Sequence, residues 1–161
     1  MLEIQPMNPS DFPLSPLTIA PGLGRVVYAF GTELTFHLTG EQTGGQYTFG
    51  TIVAPPGDGP PPHYHQAESE SFMVLEGRVS FLVGEEWREV ERGTVIFVPK
   101  GTVHTYKNLG EKPCRILVIA APSGFETFFM RCEEEFCRPG GPDMARIVEI
   151  SAEHGIHYVN P

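Results

Sequence analysis

Two of the six histidines in this 161-residue chain, His63 and His65, stand one residue apart in the stretch GPPPHYHQAESE, residues 59–70. Side chains two apart on a strand point the same way, so these imidazoles can converge on one spot above a sheet. Neutral imidazole nitrogens aimed at one spot are metal ligands. By itself the pair is a weak signal, and two solvated histidines are the commoner explanation. A nearby carboxylate strengthens the metal reading. Glu70 opens the next strand-like run, in which Glu70, Phe72 and Val74 share a face, so its oxygens look into the same space. Glu68 has the same parity, and strand alternation alone does not choose between the two acids. A third histidine, His104, lies far downstream in GTVIFVPKGTVHTYKN, on a strand with His104, Tyr106 and Asn108 on one face.

These residues need a scaffold. From Val26 to Ala121 the chain reads as short strands: RVVYAF, ELTFHL, QYTFGTIVA, SFMVLEG, RVSFLVG, TVIFVP, VHTYKN and RILVIAA. The segments TGEQTGG, GEEW, PKGT and NLGEKP read as turns between them. Many short strands with no helical period between them indicate an all-β antiparallel sandwich or barrel. SFMVLEG and RILVIAA are apolar on both faces, so both faces need cover, from an arm, a helix or a second subunit. Residues 1–24 are rich in proline (Pro6, Pro9, Pro13, Pro16, Pro21) and read as an extended arm, because proline lacks the donor that a helix or central strand requires. The strands occupy 25–122. The last segment, 123–161, reads as helical. Ser123 and Glu126 have capping-box spacing, followed by an apolar face of Phe125, Phe128, Phe129, Cys132 and Phe136. A second helix places Met144, Ile147, Val148 and Ser151 on one side and stops at Gly155.

The spacing can be written out in full. It runs Gly57-x5-His63-x-His65-x4-Glu70-x6-Gly77, then, after fifteen residues, Gly93-x5-Pro99-x-Gly101-x2-His104-x3-Asn108. The chain thereby resembles the cupin superfamily, matching both of its signature motifs at all ten specified positions. The resemblance implies a jelly-roll β-barrel in one domain. It also implies one divalent transition metal ion per chain (iron, manganese, nickel, copper, cobalt or zinc), held by His63, His65, Glu70 and His104. Such a set leaves coordination positions open for water, substrate or dioxygen. Glu68 then becomes a solvated or outlying acid and Asn108 a loop anchor, while Gly77, Gly93 and Gly101 are turn residues. His37 reads as a surface histidine, His154 as one favoured by a helix C-terminus, and His157 as a tail residue.

The stretches SGFETFF and TGGQYTFG resemble the small cupins related to quercetin 2,3-dioxygenase. That likeness implies a metal-dependent dioxygenase acting on an enolisable or phenolic small molecule, with Glu70 as general base and Tyr106 as hydrogen-bond donor to a developing oxyanion. A metal-holding binding module without turnover and a sugar or keto-acid isomerase are the alternatives.

Composition narrows the partners. A formal charge of −9 repels phosphate backbones and anionic lipid, which argues against nucleic acid and membrane surfaces. Only 11 Lys and Arg are present, few for a sugar-phosphate pocket. The three cysteines, Cys114, Cys132 and Cys137, are odd in number, and the N-terminus shows neither a basic nor an apolar signal region. Both features point to reduced thiols and a cytoplasmic protein. The doubly apolar strands and the arm point to a homodimer.

Overall fold

The computed structural model describes residues 14–159. The strands are β1 (Arg25–Ala29), β2 (Thr32–Leu38), β3 (Thr48–Ala54), β4 (His63–His65), β5 (Ser69–Glu76), β6 (Arg78–Val83), β7 (Glu86–Glu91), β8 (Val95–Val98), β9 (His104–Asn108), β10 (Cys114–Ala121) and β11 (Ile156–Tyr158). The helices are α1 (Gly40–Thr43), α2 (Phe125–Phe136) and α3 (Met144–Glu153). Two sheets form a jelly roll, one in the order β1-β2-β3-β10-β5-β8 and the other β11-β4-β9-β6-β7. Every paired strand is antiparallel.

Alternation builds the core. In β2, Thr32, Leu34 and Phe36 are buried, and in β10, Cys114, Ile116, Val118 and Ala120 are buried. These side chains face Val79, Phe81 and Tyr106 from the second sheet. In β5 the inward set is Glu70, Phe72 and Val74. A carboxylate thus stands in line with core residues, a costly placement unless positive charge or donors meet it there.

Several expectations change in the structure. The segment EWREVE, read partly as a turn, is the edge strand β7, joined to β6 by a two-residue turn at Gly84 and Glu85. Its mostly exposed, mainly polar side chains hid it from a search for apolar runs. The segment 123–161 is not wholly helical: Ile156–Tyr158 forms β11 and pairs with β4. Helix α3 buries Ile147, Ile150 and Ser151, whereas Met144 and Val148 are exposed. Both sets fit helical spacing, and packing against α2 and β11 selects the one containing Ile150. Of the proline-rich arm, residues 1–13 lie outside the described residues, and 14–24 run mostly exposed into β1.

The capping box is also replaced. Gly124 is the N-cap of α2 and makes no side-chain cap. Glu126 is instead a clasp: it accepts hydrogen bonds from the Gly40 and Gly124 amides, at 2.6 and 3.1 Å, and from the Thr48 hydroxyl. One carboxylate therefore ties α2 to α1 and β3. Burial pushes its pKa up, but those donors outweigh it and hold it below the usual 4.5. The resulting stabilisation is complete above the unfolded value and is lost as pH falls through the lowered folded value. Glu126→Gln is expected to cost about 2 kcal/mol at neutral pH, a fall in Tm of roughly 4–8 °C by thermal melting. In acid the variant and the parent should converge.

The β1–β2 turn closes over the same region. Phe30 and Gly31 both have positive φ, 58° and 77°. A two-residue turn of this kind normally takes Asn-Gly, and a bulky residue there is strained. The Phe30 ring lies 5.0 Å from Phe136, 6.1 Å from Phe129 and 6.3 Å from Phe128, centroid to centroid. Aromatic packing against α2 holds the strained turn.

Candidate metal centre

Backbone pairing assembles the site. His63 of β4 stands opposite His104 of β9. Glu70 arrives from the other sheet, on β5. The loop before β4 is fastened to β9 by hydrogen bonds from Gly57 to the Asn108 carbonyl, from Asn108 to the Asp58 carbonyl, and from the Thr105 hydroxyl to the Pro60 carbonyl. Gly59 lies so close to the Tyr106 carbonyl that a Cβ there would collide with backbone. Asn108 anchors the loops at both ends, donating to the Ala54 and Lys112 carbonyls and accepting from the Gly110 amide. On the other side, the Gly101 amide donates to the His65 carbonyl at 2.7 Å.

Within this frame, one donor atom from each of His63, His65, Glu70 and His104 falls within 4.8 Å of all the others. His65, Glu70 and His104 are only 2–3% exposed. The His63 Nδ1 donates to the Pro61 carbonyl at 2.8 Å, and the His104 Nδ1 to the Thr102 carbonyl at 3.0 Å. A carbonyl only accepts, so both rings carry a proton on Nδ1, and in the neutral ring this leaves Nε2 to offer its lone pair. Glu70 Oε2 lies 2.7 Å from His104 Nε2 and 3.3 Å from His65 Nε2. Yet Glu70 Oε2 and His65 Nε2 are buried without a directed hydrogen bond. Converging lone pairs with no proton between them repel, and a cation at their common focus removes the conflict. Three imidazoles and one carboxylate fit a divalent transition metal.

The electrostatics agree. Burial, together with the His104 ring, lowers the His63 pKa to about 4, so it is neutral at pH 7. Burial pushes Glu70 up, but His65, His104 and His63 outweigh it and hold its carboxyl below the ordinary range. His65 is pushed down by burial and up by Glu70 and Glu68, with a net rise. Glu70 and His65 thus favour positive charge at the cluster, while His63 stays neutral.

A cavity of about 70 Å³ opens onto this cluster, several times the roughly 10–15 Å³ that one water needs. Phe72 and Tyr106 line it from the barrel, Phe30 from the β1–β2 turn, Phe125, Phe128 and Phe129 from α2, and Tyr158 from β11. Among the described residues, no Lys or Arg lines it. Tyr106 is buried, and burial with Asp58 nearby raises its pKa, so the phenol keeps its proton. The Phe-rich helix therefore both packs the core and walls the pocket.

The other histidines go elsewhere. His37 bonds to the Thr51 hydroxyl at 2.8 Å. His154, at the C-terminus of α3, accepts from the Arg131 guanidinium at 3.2 Å and has a pKa lowered by burial and by that charge, so it is a neutral acceptor and not a dipole-stabilised cation. His157 sits in β11, stacked on Tyr64. Sequence reasoning missed Phe30 and Tyr158 as pocket residues. A positive-φ turn and a three-residue strand carry no periodicity that would mark them. Cys114 and Cys132 are buried and Cys137 is exposed, all as free thiols.

A cupin-domain family model matches residues 50–120, the stretch that contains all four converging side chains. This chain carries a cupin domain over those residues. Among similar proteins, quercetin 2,3-dioxygenase of Bacillus subtilis is 27% identical over 115 residues, 68% of this cupin and 34% of that protein. The tetracenomycin polyketide synthase protein TcmJ of Streptomyces glaucescens is 30% identical over 73 residues, 45% of this cupin and 49% of that protein. An RmlC-like cupin from Shewanella frigidimarina superposes with a TM-score of 0.60 at 15% identity, covering 70% of this cupin and 96% of that chain, a likeness of fold alone. This cupin spans between 30% and 58% of the length of the curated relatives it matches.

Proposed function

We propose that this cupin is a metal-dependent dioxygenase acting on a neutral, flat, enolisable or phenolic small molecule. The observation carrying this reading is the cavity lining: aromatic walls, no lysine or arginine among the described residues, and one His3Glu cluster at the inner end. An anionic sugar phosphate or dicarboxylate would find no cation there beyond the metal, whereas aromatic walls complement a planar ring system. The partial likeness to a quercetin dioxygenase supports the same substrate class.

In this reading His63, His65, Glu70 and His104 hold the ion. When bound, it supplies a Lewis acid that lowers the pKa of a substrate hydroxyl. Glu70 takes the hydroxyl proton, Tyr106 donates to the substrate oxygen, and Phe30, Phe125 and Phe129 exclude water and orient the ring. The TcmJ likeness favours a second reading, in which the same enolisation leads to ring closure without oxygen. The test is metal analysis of purified protein followed by oxygen-electrode screening of flavonols, catechols and diketones. Oxygen consumed in proportion to substrate supports the dioxygenase. An isomeric product formed without oxygen uptake favours the second reading, and a bound metal with no turnover favours a binding module.

The assembly proposed is a homodimer. The outer face of the larger sheet carries contiguous apolar rows, Leu117 beside Met73 beside Val95, and Phe49 beside Ile119, with Phe97 at the edge. Val95 and Phe97 are 62% and 61% exposed. Helix α2 packs on β1, at the opposite edge of the sheet from β8. Light scattering at micromolar concentration is expected to read twice the chain mass, and a monomer would refute the dimer.

A further inference from the structure

We infer that Glu68 is a positioning residue for His65, an anionic partner that fixes which nitrogen of that ring faces the metal and how strongly it donates. The inference rests on the metal-binding reading above. Two of the three converging imidazoles are oriented by backbone, His63 by the Pro61 carbonyl and His104 by the Thr102 carbonyl, each two residues earlier. His65 has no such carbonyl. Its Nδ1 instead faces Glu68 Oε2 at 3.6 Å. That separation exceeds a hydrogen bond. Both atoms are nonetheless buried, and neither has a hydrogen-bond partner elsewhere.

The chain between them is held on both sides. The Gln66 amide donates to the Gly155 carbonyl at 2.8 Å and the Gly101 amide to the His65 carbonyl at 2.7 Å, which folds Glu68 back beneath the ring three residues earlier. A Cβ added to Gly124, the N-cap of α2, would lie 3.8 Å from Glu68 Oε1. His65 therefore sits between two acids, Glu70 at Nε2 and Glu68 at Nδ1. For its Nε2 to offer a lone pair, the ring proton must reside on Nδ1, and Glu68 is the acceptor placed to hold it there. A carboxylate in that position raises the donor strength of the ligating nitrogen, which a carbonyl does less. The chemical distinction from Glu70 is thus one of side: Glu70 faces the ion, and Glu68 faces the back of its ligand.

The experiment measures Co2+ affinity by chelator competition, with the visible absorption of the Co2+ form, in the parent, Glu68→Gln and Glu68→Ala. Both variants are expected to bind Co2+ about 10–100-fold more weakly, with a displaced absorption band and an unchanged melting temperature of the metal-free protein. The glutamine keeps the shape, so its failure to restore affinity identifies the charge as the cause. Glu68→Gln binding within twofold of the parent, with the same band, overturns the inference while leaving the metal site standing. A parent that takes up no Co2+ refutes the metal reading and this inference with it. In the Zn2+-loaded parent, nitrogen-15 NMR should show the His65 proton on Nδ1, and an unprotonated Nδ1 overturns the inference without any variant.

Discussion

Replacing His104 or His63 by alanine is expected to take the protein from about one divalent metal ion per chain to none that survives dialysis against a chelator. Each imidazole is one of four donors, and its Nε2 is pre-aimed by a backbone carbonyl at no cost in side-chain charge. Removal leaves three donors and a Glu70 carboxylate that is still buried. Elemental analysis of parent and variants reads the result. His37→Ala is the control, because that ring is committed to Thr51 and lies outside the converging group. Full metal occupancy in His104→Ala or His63→Ala would refute the ligand set.

Glu70→Gln is expected to lower turnover by two to four orders of magnitude while largely keeping the metal. The amide oxygen has the shape of the carboxylate oxygen it replaces, but it cannot accept a proton at neutral pH. Loss of a general base costs about that much. Tyr106→Phe is expected to cost less, because it removes one donor to a developing charge and leaves the ligands alone. The measurement is initial oxygen consumption with a substrate validated on the parent protein, normalised to bound metal. Undiminished consumption by Glu70→Gln would exclude the base role.

Part of the converging site was legible from strand parity, and the full set of four side chains came from the likeness of the spaced motifs to those of the cupin superfamily. His63 and His65 share a face by strand parity, Glu70 shares one with Phe72 and Val74, and the glycines at 57, 77, 93 and 101 adopt positive φ, as turn residues do. Parity did not separate Glu68 from Glu70. Separating them took the bend after His65, which turns one acid behind the ring while β5 carries the other to its front.

What the sequence determined by itself was local: strand alternation, turn chemistry, and the intervals that bring three histidines and a carboxylate within reach of one ion. These are rules of one chain segment and its neighbours. Tertiary structure decided everything that depends on two distant segments choosing each other. Ile156–Tyr158, too short to show a period, becomes a strand only because β4 has a free edge for its hydrogen bonds. Ser123 and Glu126 have capping spacing, but Glu126 has three better donors in Gly40, Thr48 and Gly124 and takes them instead. The Phe30 turn accepts backbone strain because its ring gains a place among the phenylalanines of α2. In each case a contact across the fold outweighs a local preference of about 1 kcal/mol, a margin that packing and burial routinely exceed.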